Sequence, residues 1–156
     1  SPAVQFGGTF LAPGDPRILS STATTIKVLA PPATAGKVDV RIFDCLGDES
    51  VVVTADKFTY FAPRVTSLAP TSGHGGTTVT VKGTGYLIGC SGGALPSVAV
   101  GTTILAGTDP AVSAITATQL KVVAPAHAAG TVDIRVIDCV GDVTAVVTAD
   151  KFKYLV

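Results

Sequence analysis

The residues able to do chemistry in this chain are few: three cysteines, two histidines and two short acidic clusters. Cys45 and Cys139 stand in near-identical contexts, FDCLGD and IDCVGD, whereas Cys90 stands alone in a Gly-rich stretch, GCSGG. An odd number of cysteines leaves two readings open, free thiols in a reducing compartment or a bonded pair in an oxidising one. A zinc site built on His74 and His127 would need further ligands at suitable spacing, and none is present. A Ser-His-Asp triad needs a nucleophile and base in contact and an oxyanion hole. Nothing in the pattern marks one, so the expectation is no catalysis, no cofactor and no metal. Asp44, Asp48 and Glu49, with Asp138 and Asp142, offer oxygen ligands for a weak calcium site. The competing reading is that Asp and Gly simply make turns. Lys57 and Lys151 recur in an ADKF motif; an isopeptide crosslink is conceivable there, but an edge-strand lysine that discourages pairing is the simpler reading.

The context of these residues is a repeat. A shift of 94 positions carries Cys45 onto Cys139 and aligns residues 1–62 with 95–156 without a gap. About half of the aligned residues are identical, a self-similarity that fixes architecture before any local reading. VDVRIFDCLGD matches VDIRVIDCVGD, and VTADKFTY matches VTADKFKY. Lys and Arg number 11, as do Asp and Glu, so the chain lacks the basic footprint of a nucleic-acid or anionic-membrane binder. No apolar run reaches the ~20 residues needed to cross a bilayer as a helix. The opening SPAVQFGG has neither a charged n-region nor an apolar h-region, and no initiator Met, so a processed or excerpted chain is expected.

Period-two alternation dominates. Val132, Ile134 and Val136 interleave with Asp133, Arg135 and Ile137, and Val38, Val40 and Ile42 repeat the pattern. Val79 and Val81 share one face, with Thr80 and Lys82 on the other. Such alternation, enriched in β-branched residues and punctuated by Gly/Pro clusters, predicts half-buried strands of a sandwich or barrel. Strands are expected near 65–69, 77–82, 97–101, 118–124, 131–137 and 144–154, with one or two short ones between 101 and 118. The aromatic pairs Phe58/Tyr60 and Phe152/Tyr154 read as core.

Pro70-Thr71-Ser72-Gly73, Gly75-Gly76-Thr77 and Gly83-Thr84-Gly85-Tyr86 form a graded series of turn, strand start and strand end. With the turn Ala124–Gly130 and the closing ADKFKY segment, residues 63–156 resemble the IPT/TIG family. That resemblance implies an all-β chain of tandem immunoglobulin-like (IPT/TIG) β-sandwiches. Residues 1–62 would be a partial domain holding strands C to G, and 63–156 a complete one. The antibody-type Cys–Trp–Cys core is absent, because the chain has no Trp.

In an immunoglobulin-like sandwich the B–C and F–G loops lie at the same end. The resemblance therefore implies a disulfide between Cys90 and Cys139. Cys45 would be unpaired, or bonded to a segment outside this chain, because its partner position falls before residue 1. A disulfide implies an extracellular or cell-surface setting. The first copy lacks a counterpart of residues 64–94, which leaves an open edge and an uncovered apolar face. Two explanations follow, a longer protein of many repeats or completion by a strand from another chain. The expected role is a structural repeat module of an extracellular stalk, adhesin or filament, with strand complementation of the open first domain as one route of assembly. Its partners would be further copies of the repeat or neighbouring subunits, with no nucleic acid and no membrane insertion. The alternative is an ancillary spacer or carbohydrate-binding domain of a secreted carbohydrate-active enzyme, although the low aromatic content gives carbohydrate no support.

Overall fold

The computed structural model describes every residue, Ser1–Val156. It is all-β apart from three single-turn 3₁₀ segments, and the chain separates into two compact units, Ser1–Tyr60 and Phe61–Val156. No helix is long and apolar enough to cross a membrane.

In the first unit, β1 (Ala3–Phe6), β2 (Thr9–Leu11), β5 (Gly36–Phe43) and β6 (Lys57–Tyr60) form one sheet in the order β2-β1-β5-β6. The remaining pair, β3 (Ile18–Ser21) and β4 (Ile26–Val28), is an isolated hairpin. Val4, Phe6 and Leu11 form the buried centre, and half-buried Ile18, Ile26, Val28, Val38, Val40 and Tyr60 surround it.

The second unit has two full sheets. Its strands are β7 (Arg64–Ala69), β8 (Ser72–Gly73), β9 (Thr78–Thr84), β10 (Ser97–Val100), β11 (Thr103–Leu105), β12 (Val112–Ser113), β13 (Gln119–Val123), β14 (Gly130–Ile137) and β15 (Lys151–Tyr154). One sheet runs β11-β10-β14-β15-β8 and the other β12-β13-β9-β7. Alternate residues of both sheets supply the shared core, among them Val79, Val81, Leu120, Val122, Ile134, Val136 and Phe152. This is the packing that period-two sequences produce when each strand has one dry face.

Two local features depart from the expected strand map. The stretch 70–76, which reads as a turn, contains β8. After the cis Ala69–Pro70 peptide the chain joins the opposite sheet, pairing parallel to β15 through Lys153↔Ser72 and Tyr154↔Gly73. The strand expected over 144–154 is confined to Lys151–Tyr154. Upstream of it, the Thr144 hydroxyl accepts the Val136 N–H at 3.1 Å. The Thr144 N–H donates to the Val136 carbonyl at 2.9 Å. A side chain thus takes a ladder position, and the 3₁₀ turn Thr148–Asp150 follows, with the Asp150 carboxylate accepting the Val147 N–H at 3.0 Å.

The Gly-Thr-Gly-Tyr segment has a steric reason. Tyr86 is fully buried and its ring folds back over Gly83, where a Cβ would overlap both that ring and the Arg64 carbonyl. Gly85 sits at φ +73°, a conformation that glycine adopts without penalty.

Candidate functional site

Every strand of the first unit has a counterpart in the second at the same 94-residue offset. The registers agree as well: Val4 faces Ile42 and Leu11, as Val98 faces Val136 and Leu105. The two units are therefore the same structure with and without β7, β8 and β9, and the difference between them can be read residue by residue.

The difference is concentrated on one face. Val136 is 0% exposed and its counterpart Ile42 is 40% exposed; Phe152 is 0% exposed and Phe58 is 38%. Leu120, Val122, Ile134 and Tyr154 are buried, while Ile26, Val28, Val40 and Tyr60 are only half-buried. Ala124 is buried and Ala30 exposed. Other apolar side chains are exposed in both units, including Phe10 with Ile104 and Val52 with Val146. Those belong to the ordinary surface of the fold, because roughly half of any protein surface is apolar. The paired residues that change mark what β7, β8 and β9 cover. Phe58 was expected to be core. It is partly exposed because the first unit has no counterpart of β7, β9 and Tyr86, which share one buried core with Phe152. It keeps edge-to-face contacts with Phe6 and Tyr60, at centroid separations of 5.5 and 5.0 Å.

Two strand edges border this face. In the second unit β13 pairs with β9 from Gln119↔Lys82 to Val123↔Thr78. The matching residues of the first unit, Thr25–Leu29, face no such strand. On the other sheet, the N–H groups of Lys153 and Leu155 donate to Thr71 and Gly73 carbonyls at 2.9 and 2.8 Å. The matching Thr59 lies in β6, an edge with no strand beyond it. Open edges of this kind are templates for strand addition.

Cysteines stand at equivalent turns of the two units, Cys45 in the first and Cys139 in the second. Cys90 and Cys139 are bonded, with their Cα atoms 5.8 Å apart, and Cys45 is a free, exposed thiol. Both F–G turns are built alike. The Asp138 carboxylate accepts the N–H groups of Val140 and Asp142 at 3.0 and 2.9 Å. The Asp44 carboxylate accepts those of Leu46 and Asp48 at 2.8 and 2.9 Å. Asp138 is buried, and desolvation raises its pKa against the lowering effect of those N–H groups.

The remaining candidates are accounted for by structure. No group of three or more His, Cys, Asp or Glu side chains is placed to hold a metal ion. Glu49 pairs with Arg41 at 2.5 Å. Lys57 pairs with Asp39 directly across the β5–β6 ladder, and Lys151 with Asp133 across β14–β15. These pairs are half-exposed, so each contributes at most about 1 kcal/mol. His127 stacks on Tyr154 with centroids 4.8 Å apart, while the backbone N–H of His74 donates to the Thr77 hydroxyl at 3.0 Å.

Among solved structures, SGBP-B of the Bacteroides ovatus mixed-linkage glucan utilization locus, in complex with a mixed-linkage heptasaccharide, is 14% identical. The alignment covers 98% of this chain and 38% of that one, with a TM-score of 0.45, so this chain spans well under half of that protein. The tandem Ig repeats of Dlar are 11% identical over 99% of this chain and 80% of theirs, with a TM-score of 0.31. No curated protein matches the sequence significantly. The family model for the IPT/TIG domain matches residues 63–154, more than half of the chain. With two immunoglobulin-like β-sandwich units, the first without its N-terminal strands, the chain belongs to the IPT/TIG domain family.

Proposed function

We propose that this chain is a structural repeat module of an extracellular stalk, adhesin or filament, assembled through completion of the open first unit by strands from outside the chain. One observation carries the reading: equivalent apolar residues are dry in the second unit and wet in the first. Ile42 and Phe58 stay 40% and 38% exposed, so each forgoes about 1 kcal/mol of the transfer free energy that its buried counterpart gains. The same physics that closes the second unit therefore favours closing the first.

Further support comes from composition and bonding. The Cys90–Cys139 disulfide suits an oxidising, extracellular location. IPT/TIG units generally act as structural or binding modules rather than catalysts. Partners would be further copies of the repeat or neighbouring subunits.

Electron microscopy and light scattering of native material test this. Linear assemblies with a regular axial repeat are the expected result. A monodisperse monomer whose first unit resists hydrogen exchange as strongly as its second would overturn the reading, because the open face would then be stable without a partner.

A further inference from the structure

The occupant of the open face can be specified, on the strength of the structural-module reading above. We propose that the first unit takes a strand pair patterned like Arg64–Thr84, from a repeat outside residues 1–156, and that a cysteine following that pair bonds Cys45.

The second unit supplies the template. There β7 and β9 share one buried core with Leu120, Val122, Ile134, Val136 and Phe152, whose first-unit counterparts share their identity or apolar character, and β1–β5 keeps the register of β10–β14. The occupant must therefore bring an antiparallel pair with two inward β-branched residues spaced like Val79 and Val81. It must also bring a short segment like Ser72–Gly73 that adds in parallel beside β6. It must end in a glycine that admits an aromatic ring, as Gly83 admits Tyr86, because that ring closes the end of the core.

The thiol position follows from the same template. Cys90 comes six residues after Thr84, the last residue of β9, and meets Cys139 on a turn organised by Asp138. Cys45 occupies the equivalent turn, already organised by Asp44 and open to solvent. Bond formation joins the Cys45 sulfur to the incoming sulfur with loss of two protons and two electrons. A low-molecular-weight disulfide takes these up and leaves as two thiols, by two successive exchanges.

A second copy of this chain is a poor donor. It has one such strand pair, and Val65, Val79 and Val81 of that pair are fully buried in its own second unit. Donation would open one core to close another. The occupant is therefore a strand pair that is not already buried in a sandwich of its own.

The test uses the full chain and a synthetic peptide with the sequence of residues 63–94, in an oxidised-glutathione buffer. The expected product is a one-to-one adduct at Cys45, with slowed amide exchange over 25–29 and 57–61. Docking should raise the local thiol concentration to the millimolar range, so at ~10 μM peptide the adduct forms about a hundredfold faster than with a scrambled peptide that keeps its cysteine. A C90S peptide should slow exchange without forming an adduct. If the peptide is poorly soluble, the same segment fused directly before Ser1 should protect Cys45 from alkylation in the folded protein.

Equal rates for the native and scrambled peptides would show only an exposed thiol and overturn the proposal. So would unchanged exchange in both the peptide and fusion experiments. Protection of 25–29 in the chain alone, with a Cys45–Cys45 dimer, would assign the face to a second copy instead and also overturn it. None of these results bears on whether native material forms linear assemblies, which the microscopy decides separately.

Discussion

Truncating the same aromatic ring in the two units provides a controlled comparison of closed and open cores. Phe152→Ala removes a ring with no solvent exposure, held beside Tyr154 at a centroid separation of 5.1 Å. Such deletions lose the transfer free energy and leave a cavity, for a total of about 3–5 kcal/mol. Phe58→Ala removes the identical ring at the identical strand position, but that ring is 38% exposed. Roughly three-fifths of the transfer contribution is then at stake and water fills the space, so the cavity contribution is small and the loss is about 1–2 kcal/mol. The assay is urea unfolding followed by hydrogen-exchange mass spectrometry, with peptides assigned to each unit, since two units need not unfold together. The expected pattern is a large shift confined to the second unit for Phe152→Ala and a small one confined to the first for Phe58→Ala. Equal losses would mean that Phe58 lies in a closed core, and the argument from differential burial would fail.

Other consequences can be measured on the same protein. Reducing Cys90–Cys139, whose partners are 49 residues apart, should destabilise the second unit by about 4 kcal/mol in the chain-entropy account, read as a fall in its urea midpoint with no change in the first unit. Gly83→Ala should destabilise the second unit by about 1–3 kcal/mol, because the new methyl competes with the Tyr86 ring and the Arg64 carbonyl; an unchanged melting temperature would contradict the close approach. The bidentate Arg17 pair holds the Asp15 carboxyl down at about 2. A folded-state pKa below the ordinary 3.8 stabilises the fold above that pH, and the contribution is lost as pH falls toward 2. Arg17→Ala should raise the Asp15 midpoint toward the usual carboxylate range in an NMR pH titration, though not fully, because the residue-17 backbone N–H still donates to Asp15; an unshifted midpoint would refute the side-chain pairing.

Much of the fold was legible because β-sandwich strands carry their burial in a period of two. Val79/Val81, Leu120/Val122 and Val132/Ile134/Val136 announced strands, and all lie in strands of the second unit. The Gly-Thr-Gly-Tyr series announced a tight strand end, although only the fold brings the Tyr86 ring itself over Gly83. The parallel addition of Ser72–Gly73 was not legible, since a two-residue strand has no period to detect and its partner is about 80 residues away in sequence. Nor was the loss of strand at 144–147, where the Thr144 hydroxyl takes a bond that backbone would otherwise make. A threonine in a β-rich stretch carries no local sign that its side chain will bond a neighbouring strand.

The candidate site divides along the same line. The sequence by itself determined the family, the 94-residue phase and the absence of a counterpart to residues 64–94, because an internal repeat is its own alignment. It also placed three cysteines at defined points of that repeat. Only the tertiary structure decided which residues feel the absence. Phe58 and Phe152 are the same residue in the same motif, and one is wet while the other is dry. Burial is a property of what stands opposite a side chain, and the strands opposite Phe152 come from a segment some 70 residues upstream. A local pattern states which face of a strand prefers to be dry; whether that face is dry depends on a partner that no local pattern contains.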